Sequence, residues 1–332
     1  MALRILLIDV DSTIPNLALM KISSYHKSMG DEVELKRLGI SYYPDKRTRT
    51  TISTAGYDAV YLSAIFGGTM DCVDFDLYSQ KGLCLFGGTG ISLDATLPDE
   101  IDEQELDYSI YSDNDTAYGF ISRGCDRKCH WCVVPQKEGK IHQVEADLEN
   151  IIRKFKKVKF MDNNFLQLPN HVEILEWLAE RKIKCQFNQG LDIRLITEEN
   201  SAALFKLNYM GEYIFAFDNW GYRRIIERQL KLLQWIKPWG AKFYVYVNPA
   251  MPLTETVKRV EFLRNRKLLP YVMRDIECWG SEHHDFYVDL AAYGNQPAFF
   301  KKMAFEEFIY KRHPGNRVRA DKSAELFRSA LK

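Results

Sequence analysis

The chain of 332 residues has no run long and apolar enough to span a membrane. It has no excess of charge of either sign: 45 Lys and Arg stand against 45 Asp and Glu. A formal net charge of zero removes any general pull toward nucleic acid and leaves only a local basic patch as a route to such a partner. No internal repeat and no low-complexity tract occurs. The opening "MALRILLIDV" meets Asp9 and Asp11 after a short apolar stretch and lacks the length and cleavage-site pattern of a signal peptide. It reads as a buried first strand, and the expected compartment is the cytoplasm, where thiols stay reduced. Seven cysteines, an odd number, rule out a fully paired disulfide framework. What is there is globular. Hydrophobic residues make up 46% and charged residues 27%, enough for a sizeable core in one large domain or two ordinary ones.

The pattern predicts an α/β protein. "RILLIDV" (4–10) has the look of a strand buried on both faces, followed by a helix over 15–30 with Pro15 at its start and Gly30 at its stop. "DEVEL", 57–66 and 82–88 are further strands. Together they suggest a small Rossmann-like layer over 1–105. An acidic, turn-rich stretch then reads as connecting chain, with the linker at 106–117. From 118 to 280 the rhythm is regular. Strands are expected at 118–124, 157–162, 183–189, 212–218, 241–248 and 268–275. Helices are expected at 145–157, 171–182, 197–208, 222–236 and 253–267. Six such alternations make a parallel sheet, open or partly closed like a barrel. Residues 281–332 are expected to form a helical extension.

In such folds functional groups sit on loops at the C-terminal ends of strands. Polar residues gather there: "DNN" (162–164), "QGLDIR" (189–194), "DNW" (218–220) and "NP" (248–249). The first loop carries "RGCDRKCHWCVVP" (123–135), with Cys125, Cys129 and Cys132 inside eight residues. A disulfide would leave one thiol over. Zinc normally takes four protein ligands. His130 makes a Cys3His set conceivable, although its place between two cysteines makes simultaneous binding awkward. A 4Fe–4S cluster on three thiolates leaves one iron open to a ligand.

Cys125-x3-Cys129-x2-Cys132, with Trp131 directly before the last cysteine, resembles the signature of the radical SAM superfamily. The resemblance covers about 118–280 and implies a partial (β/α)6 barrel. The N-terminal 1–105 is similar to the cobalamin-binding-type Rossmann domain that precedes the barrel in one branch. The resemblance implies a 4Fe–4S cluster on the three cysteines and S-adenosylmethionine on the open iron. One electron then cleaves the sulfonium to methionine and a 5′-deoxyadenosyl radical, which abstracts hydrogen from a substrate. An electron donor such as flavodoxin or ferredoxin is implied as a partner. It implies cofactor contacts at Asp162, in place of the usual Gly-Gly-Glu, at Asp192 and Arg194 for ribose and carboxylate, and at Asp218. Asn248 lies near the expected adenine site, and Trp131 serves as a packing wall. Each carboxylate has the alternative role of a helix cap or turn residue.

The Asp-x-His-x-x-Gly motif is absent after the first strand, so cobalamin is not favoured. Were it bound, radical-mediated methyl transfer would be the natural reaction class. The chain is similar to tRNA methylthiotransferases in "CDRKCHWCVVP", but has no second three-cysteine set and no C-terminal RNA-binding barrel. A nucleic-acid or nucleotide substrate stays open, as does a non-catalytic, metal-stabilised binding protein. "FGGTG" (86–90) and "HHD" (283–285) read as a tight turn and a polar loop. Cys72, Cys84, Cys185 and Cys278 read as small buried hydrophobes.

Overall fold

The computed structural model describes residues 2–76 and 83–332, which fall into two compact units. The first comprises Met1–Tyr118 with Arg127–Gly139, and the second Gly119–Asp126 with Lys140–Lys332.

In the first unit, β1 (Arg4–Asp9) is buried over its last five residues. α1 (Leu17–Ser28) begins at Asn16, whose side chain accepts from the Leu19 amide, so Pro15 precedes the cap. Gly30, at φ +85°, turns the chain into β2 (Glu32–Arg37). Then come β3 (Thr50–Ser53), β4 (Ala59–Ser63), β5 (Val73–Asp76) and β6 (Leu83–Gly87). The order β2-β1-β4-β6 is parallel throughout, with β3 and β5 as a separate parallel pair. Alternate residues of β1 enter different clusters. Leu6 and Ile8 pack with Val60 and Leu62, while Ile5 and Leu7 pack with Leu19 and Ile22. Covering both faces is why the run is continuously apolar.

The stretch 106–117, read as connecting chain, is tied down after α2 (Asp99–Asp102). Asp107 accepts from Lys27 Nζ and Ser23 Oγ, each at 2.7 Å, and the Tyr111 hydroxyl donates to Asp9 at 2.8 Å. "FGGTG" is a glycine turn: Gly88 has φ +97°, and a Cβ there would lie 2.2 Å from the Ala64 carbonyl oxygen.

β7 (Ala117–Gly119) ends where the second unit begins. The strand expected to run to 124 stops here. The amides of Ile121 and Ser122 turn away to the Asp162 carboxylate, and β8 (Ser122–Arg123) pairs antiparallel with β9 (His142–Gln143). Between them, α3 (Val134–Lys137) belongs to the first unit, and Lys137 Nζ donates to Thr89 there at 2.5 Å. α4 is only Leu148–Ile152, shorter than expected. The Asp147 side chain caps its start, and Arg153 closes it in the left-handed region at φ +50°.

The remaining elements alternate. β10 (Lys157–Phe160), α5 (His171–Glu180), β11 (Lys184–Phe187), α6 (Glu198–Lys206), β12 (Asn208–Tyr209), β13 (Tyr213–Ala216) and α7 (Arg223–Leu230) lead to β14 (Ala241–Val247), α8 (Leu253–Asn265) and β15 (Leu269–Arg274). α6 opens with a reciprocal capping box between Thr197 and Asn200. α7 stops six residues before the expected end. Lys231, Leu232 and Leu233 bond carbonyls three residues back, tightening the turn ahead of Pro238, which disfavours helix at the residue before it. One sheet runs β12-β11-β10-β7 and another β13-β14-β15, and a parallel bridge between Leu191 and Phe215 joins them.

The C-terminal helices are α9 (His284–Gly294), α10 (Pro297–Phe300), α11 (Phe305–Arg312) and α12 (Arg317–Leu331). They close over Phe286, Tyr293, Phe300, Phe305 and Phe308, all buried. At their centre the Asp289 carboxylate is fully buried. It accepts from His313 Nε2 (2.8 Å), Arg312 Nε (3.2 Å), two nitrogens of Arg319 (3.0 and 3.3 Å) and Ser323 Oγ (2.9 Å). Burial works to raise its pKa, but these donors outweigh burial and hold it below the ordinary carboxylate value. Among the described residues no helix is long and apolar enough to cross a membrane.

Candidate functional site

A line of backbone hydrogen bonds ties the C-terminal ends of the strands of the second unit. Met161 N donates to Gly119 O (2.9 Å), Asn188 N to Phe160 O (2.8 Å), Leu191 N to Ile214 O (2.8 Å), Phe217 N to Tyr244 O (2.8 Å) and Asp275 N to Val247 O (2.9 Å). The loops holding Cys125, Asp162, Asp192, Asp218 and Asn248 leave from this edge.

Asp162 is 1% exposed. Its carboxylate accepts from Ser122 N (2.5 Å), Ser122 Oγ (2.6 Å) and Ile121 N (3.3 Å). Burial pushes its pKa up to about 6, against the lowering effect of these donors. The carboxyl therefore anchors the root of the cysteine loop.

Two residues on, Asn164 is 4% exposed. Its Nδ2 donates to Cys125 Sγ at 3.4 Å, and its Oδ1 is buried with no partner. An unmet acceptor there costs about 1–3 kcal/mol, which a bound donor would offset. The same turn reaches the loop again, where Gln167 Oε1 accepts from the Asp126 amide at 3.0 Å. The sequence places "DNN" (162–164) at this edge, and the resemblance assigns the contact to Asp162 and not to Asn164. The available signal was a second short polar side chain on the same rim.

Asp192 and Arg194 are brought together, but onto each other. Arg194 Nε and Nη2 fork the two carboxylate oxygens at 2.7 and 2.9 Å, and the guanidinium lies 4.6 Å from the Tyr222 ring centre. Asp192 also caps the turn at 193–195 by accepting from the Arg194 amide. Asp218 accepts from Tyr246 N at 3.0 Å. Its pKa is raised, chiefly by burial, although Arg259 and Arg194 act to lower it.

Arg259, unremarked in the sequence, is fully buried. Its Nη1 donates to the carbonyls of Phe217 and Tyr246, both at 2.9 Å, clamping the ends of β13 and β14. Burial lowers its pKa to about 10. Asn248 donates to Glu277 (3.1 Å) and the Tyr246 hydroxyl (3.3 Å) and accepts from Ala250 N (2.8 Å).

All seven cysteines are thiols. Cys125 and Cys129 are half-buried and Cys132 is exposed, with the Cys132 amide bonded to the Cys129 carbonyl at 3.0 Å. Trp131 is half-buried, its ring edge-on to His130. Among the described residues, no group of three or more His, Cys, Asp or Glu side chains is gathered where it could hold a metal ion. Cys185 and Cys278 are buried as expected, with thiol pKa pushed to about 12 by burial, while Cys72 and Cys84 are only half-buried. In the first unit, Asp9 at the end of β1 and Asp11 just after it are occupied. Asp9 accepts from Tyr111, and Asp11 from Ile65 N, Phe66 N and Thr69 Oγ1.

No protein-family model matches the chain, and no curated protein matches it. A solved structure of the radical S-adenosylmethionine methyltransferase TsrM from Kitasatospora setae, with tryptophan substrate and the SAM analogue aza-SAM bound, aligns at a TM-score of 0.40 and 13% identity. The alignment covers 82% of this chain and 67% of that one.

Proposed function

We propose that the chain is a radical SAM enzyme, with a Rossmann-like domain over 1–105 and a partial (β/α)6 barrel over 118–280. The observation that carries this reading is the Cys125-x3-Cys129-x2-Cys132 loop, rooted on Asp162 and Asn164 at the rim of the neighbouring parallel strand. The donor set is chemically suited: three thiols supply soft ligands for a 4Fe–4S cluster and leave one iron open. Once bound, that cluster supplies one-electron reductive cleavage of S-adenosylmethionine.

The chain's own residues orient and shield. Asp162 holds the loop root. Asn164 Oδ1 offers an acceptor beside Cys125 to a donor group of the cofactor. Arg194, paired with Asp192, presents a guanidinium suited to a carboxylate. Asp218 and Asn248 leave from the same edge and are assigned to ribose and adenine, and Trp131 is assigned as an apolar packing wall for the cofactor. A one-electron donor of flavodoxin or ferredoxin type completes the system, and cobalamin is not part of this reading.

Anaerobic reconstitution followed by iron and sulfide analysis tests it. About four irons and four sulfides per chain are expected for a 4Fe–4S cluster. Stoichiometric zinc without labile sulfide would instead make the protein a metal-stabilised binding module.

A further inference from the structure

We infer that the second unit binds single-stranded nucleic acid, with phosphates along a cationic stripe on α7 and a base in the cleft beside it. Stripe and cleft lie wholly within that unit, and neither depends on the cluster.

Over 222–237 the sequence carries five cations, Arg223, Arg224, Arg228, Lys231 and Lys237, against one carboxylate, Glu227, in a chain whose formal net charge is zero. Arg224, Arg228 and Lys231 recur at spacings of four and three. That puts them on one face of α7 and the turn after it, about 5–6 Å apart along the axis. All three are exposed. Among the described residues, ion pairs join Lys206 to Glu176, Lys242 to Glu212 and Arg266 to Glu227, and none joins these three cations to a carboxylate. The arrangement works against the helix itself. Arg224 stands in the first turn, where the macrodipole disfavours a cation, and that turn has no acidic residue and no side-chain cap. Arg224 and Arg228 repel each other at four apart. Glu227, the carboxylate on the same helix, is held by Arg266 instead. An anion from outside is what the stripe fits.

The same three side chains rim a cleft of about 640 Å³, an ordinary size for a ligand pocket. Its floor is apolar, formed by buried Leu233, Ala241 and Leu268. Ala241 begins β14 and Leu268 precedes β15, so the cleft lies at the opposite ends of these strands from the loops at their C-terminal edge. Gln234 and Glu227 add hydrogen-bonding groups to its wall. Arginine forks phosphate oxygens. A flat base can lie on an apolar floor while its edge, with both donors and acceptors, meets Gln234 and Glu227. A carboxylate-rich peptide brings only acceptors and sets them against Glu227, so the lining favours nucleic acid over an acidic protein. A base enters such a cleft only when unstacked, which selects a single strand.

The test is fluorescence anisotropy of labelled single strands of about 15 nucleotides, DNA and RNA, with the full-length protein over a range of salt. Wild type is compared with a triple variant, Arg224→Gln, Arg228→Gln and Lys231→Gln. A control loses three exposed lysines elsewhere, by Lys301→Gln, Lys302→Gln and Lys322→Gln. Three phosphate contacts at about 0.7 each predict that the slope of log Kd against log salt falls by about 2 in the triple variant, with binding about tenfold or more weaker at low salt. The control should keep the wild-type slope. If circular dichroism shows the triple variant unfolded, the single variants decide, each lowering the slope by about 0.7. Binding of either strand with this slope change supports the inference. A wild type that binds neither strand, or equal losses in variant and control, overturns it. Displacement of the strand by polyglutamate at matched charge also overturns it and assigns the stripe to an acidic protein. None of these outcomes touches the cluster reading, which iron and sulfide analysis decides separately.

Discussion

Replacing Asp162 with Asn should leave a protein whose stability, relative to wild type, changes with pH in a defined direction. Two effects compete at this carboxyl. Burial at 1% exposure favours the neutral acid, while three donors, Ile121 N, Ser122 N and Ser122 Oγ, favour the ion. Burial wins, and the pKa rises from 3.8 to about 6. A group that holds its proton more tightly when folded stabilises the fold fully below its unfolded pKa, near 4, and loses that contribution as pH rises through about 6. Roughly two pKa units correspond to about 3 kcal/mol. Asparagine cannot titrate. It also loses acceptor capacity and turns an NH2 toward two backbone donors, a cost that is independent of pH. Urea unfolding of both proteins between pH 4 and 7 should therefore show the wild-type advantage shrinking by about 2–2.5 kcal/mol as pH rises. A gap that is flat, or that grows with pH, would mean the three donors outweigh burial and would refute the reasoning.

Asp289→Ala should destabilise the second unit by about 3–5 kcal/mol, because it strands the buried faces of Arg319 and His313; thermal melting should fall by roughly 6–20 °C. The wild-type contribution of Asp289 is present above pH 4 and fades as acid protonates it below its depressed pKa. Gly88→Ala should cost about 3 kcal/mol or more by chemical denaturation, since alanine meets both a positive φ and the Ala64 carbonyl. Arg194→Ala should weaken S-adenosylmethionine binding by about tenfold in calorimetry, with iron content unchanged; an unaltered affinity would remove Arg194 from the cofactor site.

Elements whose causes are local were legible. β14 alternates buried and half-buried positions along its whole length. α6 announces itself by Thr197 and Asn200, and α5 by Ile174, Leu175 and Leu178 facing inward. What escaped depends on residues far apart in sequence. The early stop of β7 follows from Asp162, 40 positions after Ser122. The burial of Arg259 follows from two carbonyls on different strands, one 42 positions earlier. Asp192 and Arg194 were each legible as rim residues, but their mutual fork is a matter of side-chain geometry that spacing does not reveal. Asn164 was hidden for the same reason: nothing local marks it as the neighbour of Cys125.

Cys125, Cys129 and Cys132, three cysteines within eight residues, are proposed to arm this chain for reductive cleavage of S-adenosylmethionine. The most direct measurement is anaerobic cleavage with dithionite by reconstituted wild type and Cys129→Ala, with folding checked by circular dichroism. Wild type should release methionine and 5′-deoxyadenosine, and the variant neither. Cleavage at the wild-type rate by a folded Cys129→Ala protein, or no cleavage by a wild type carrying its full iron and sulfide, would contradict the account.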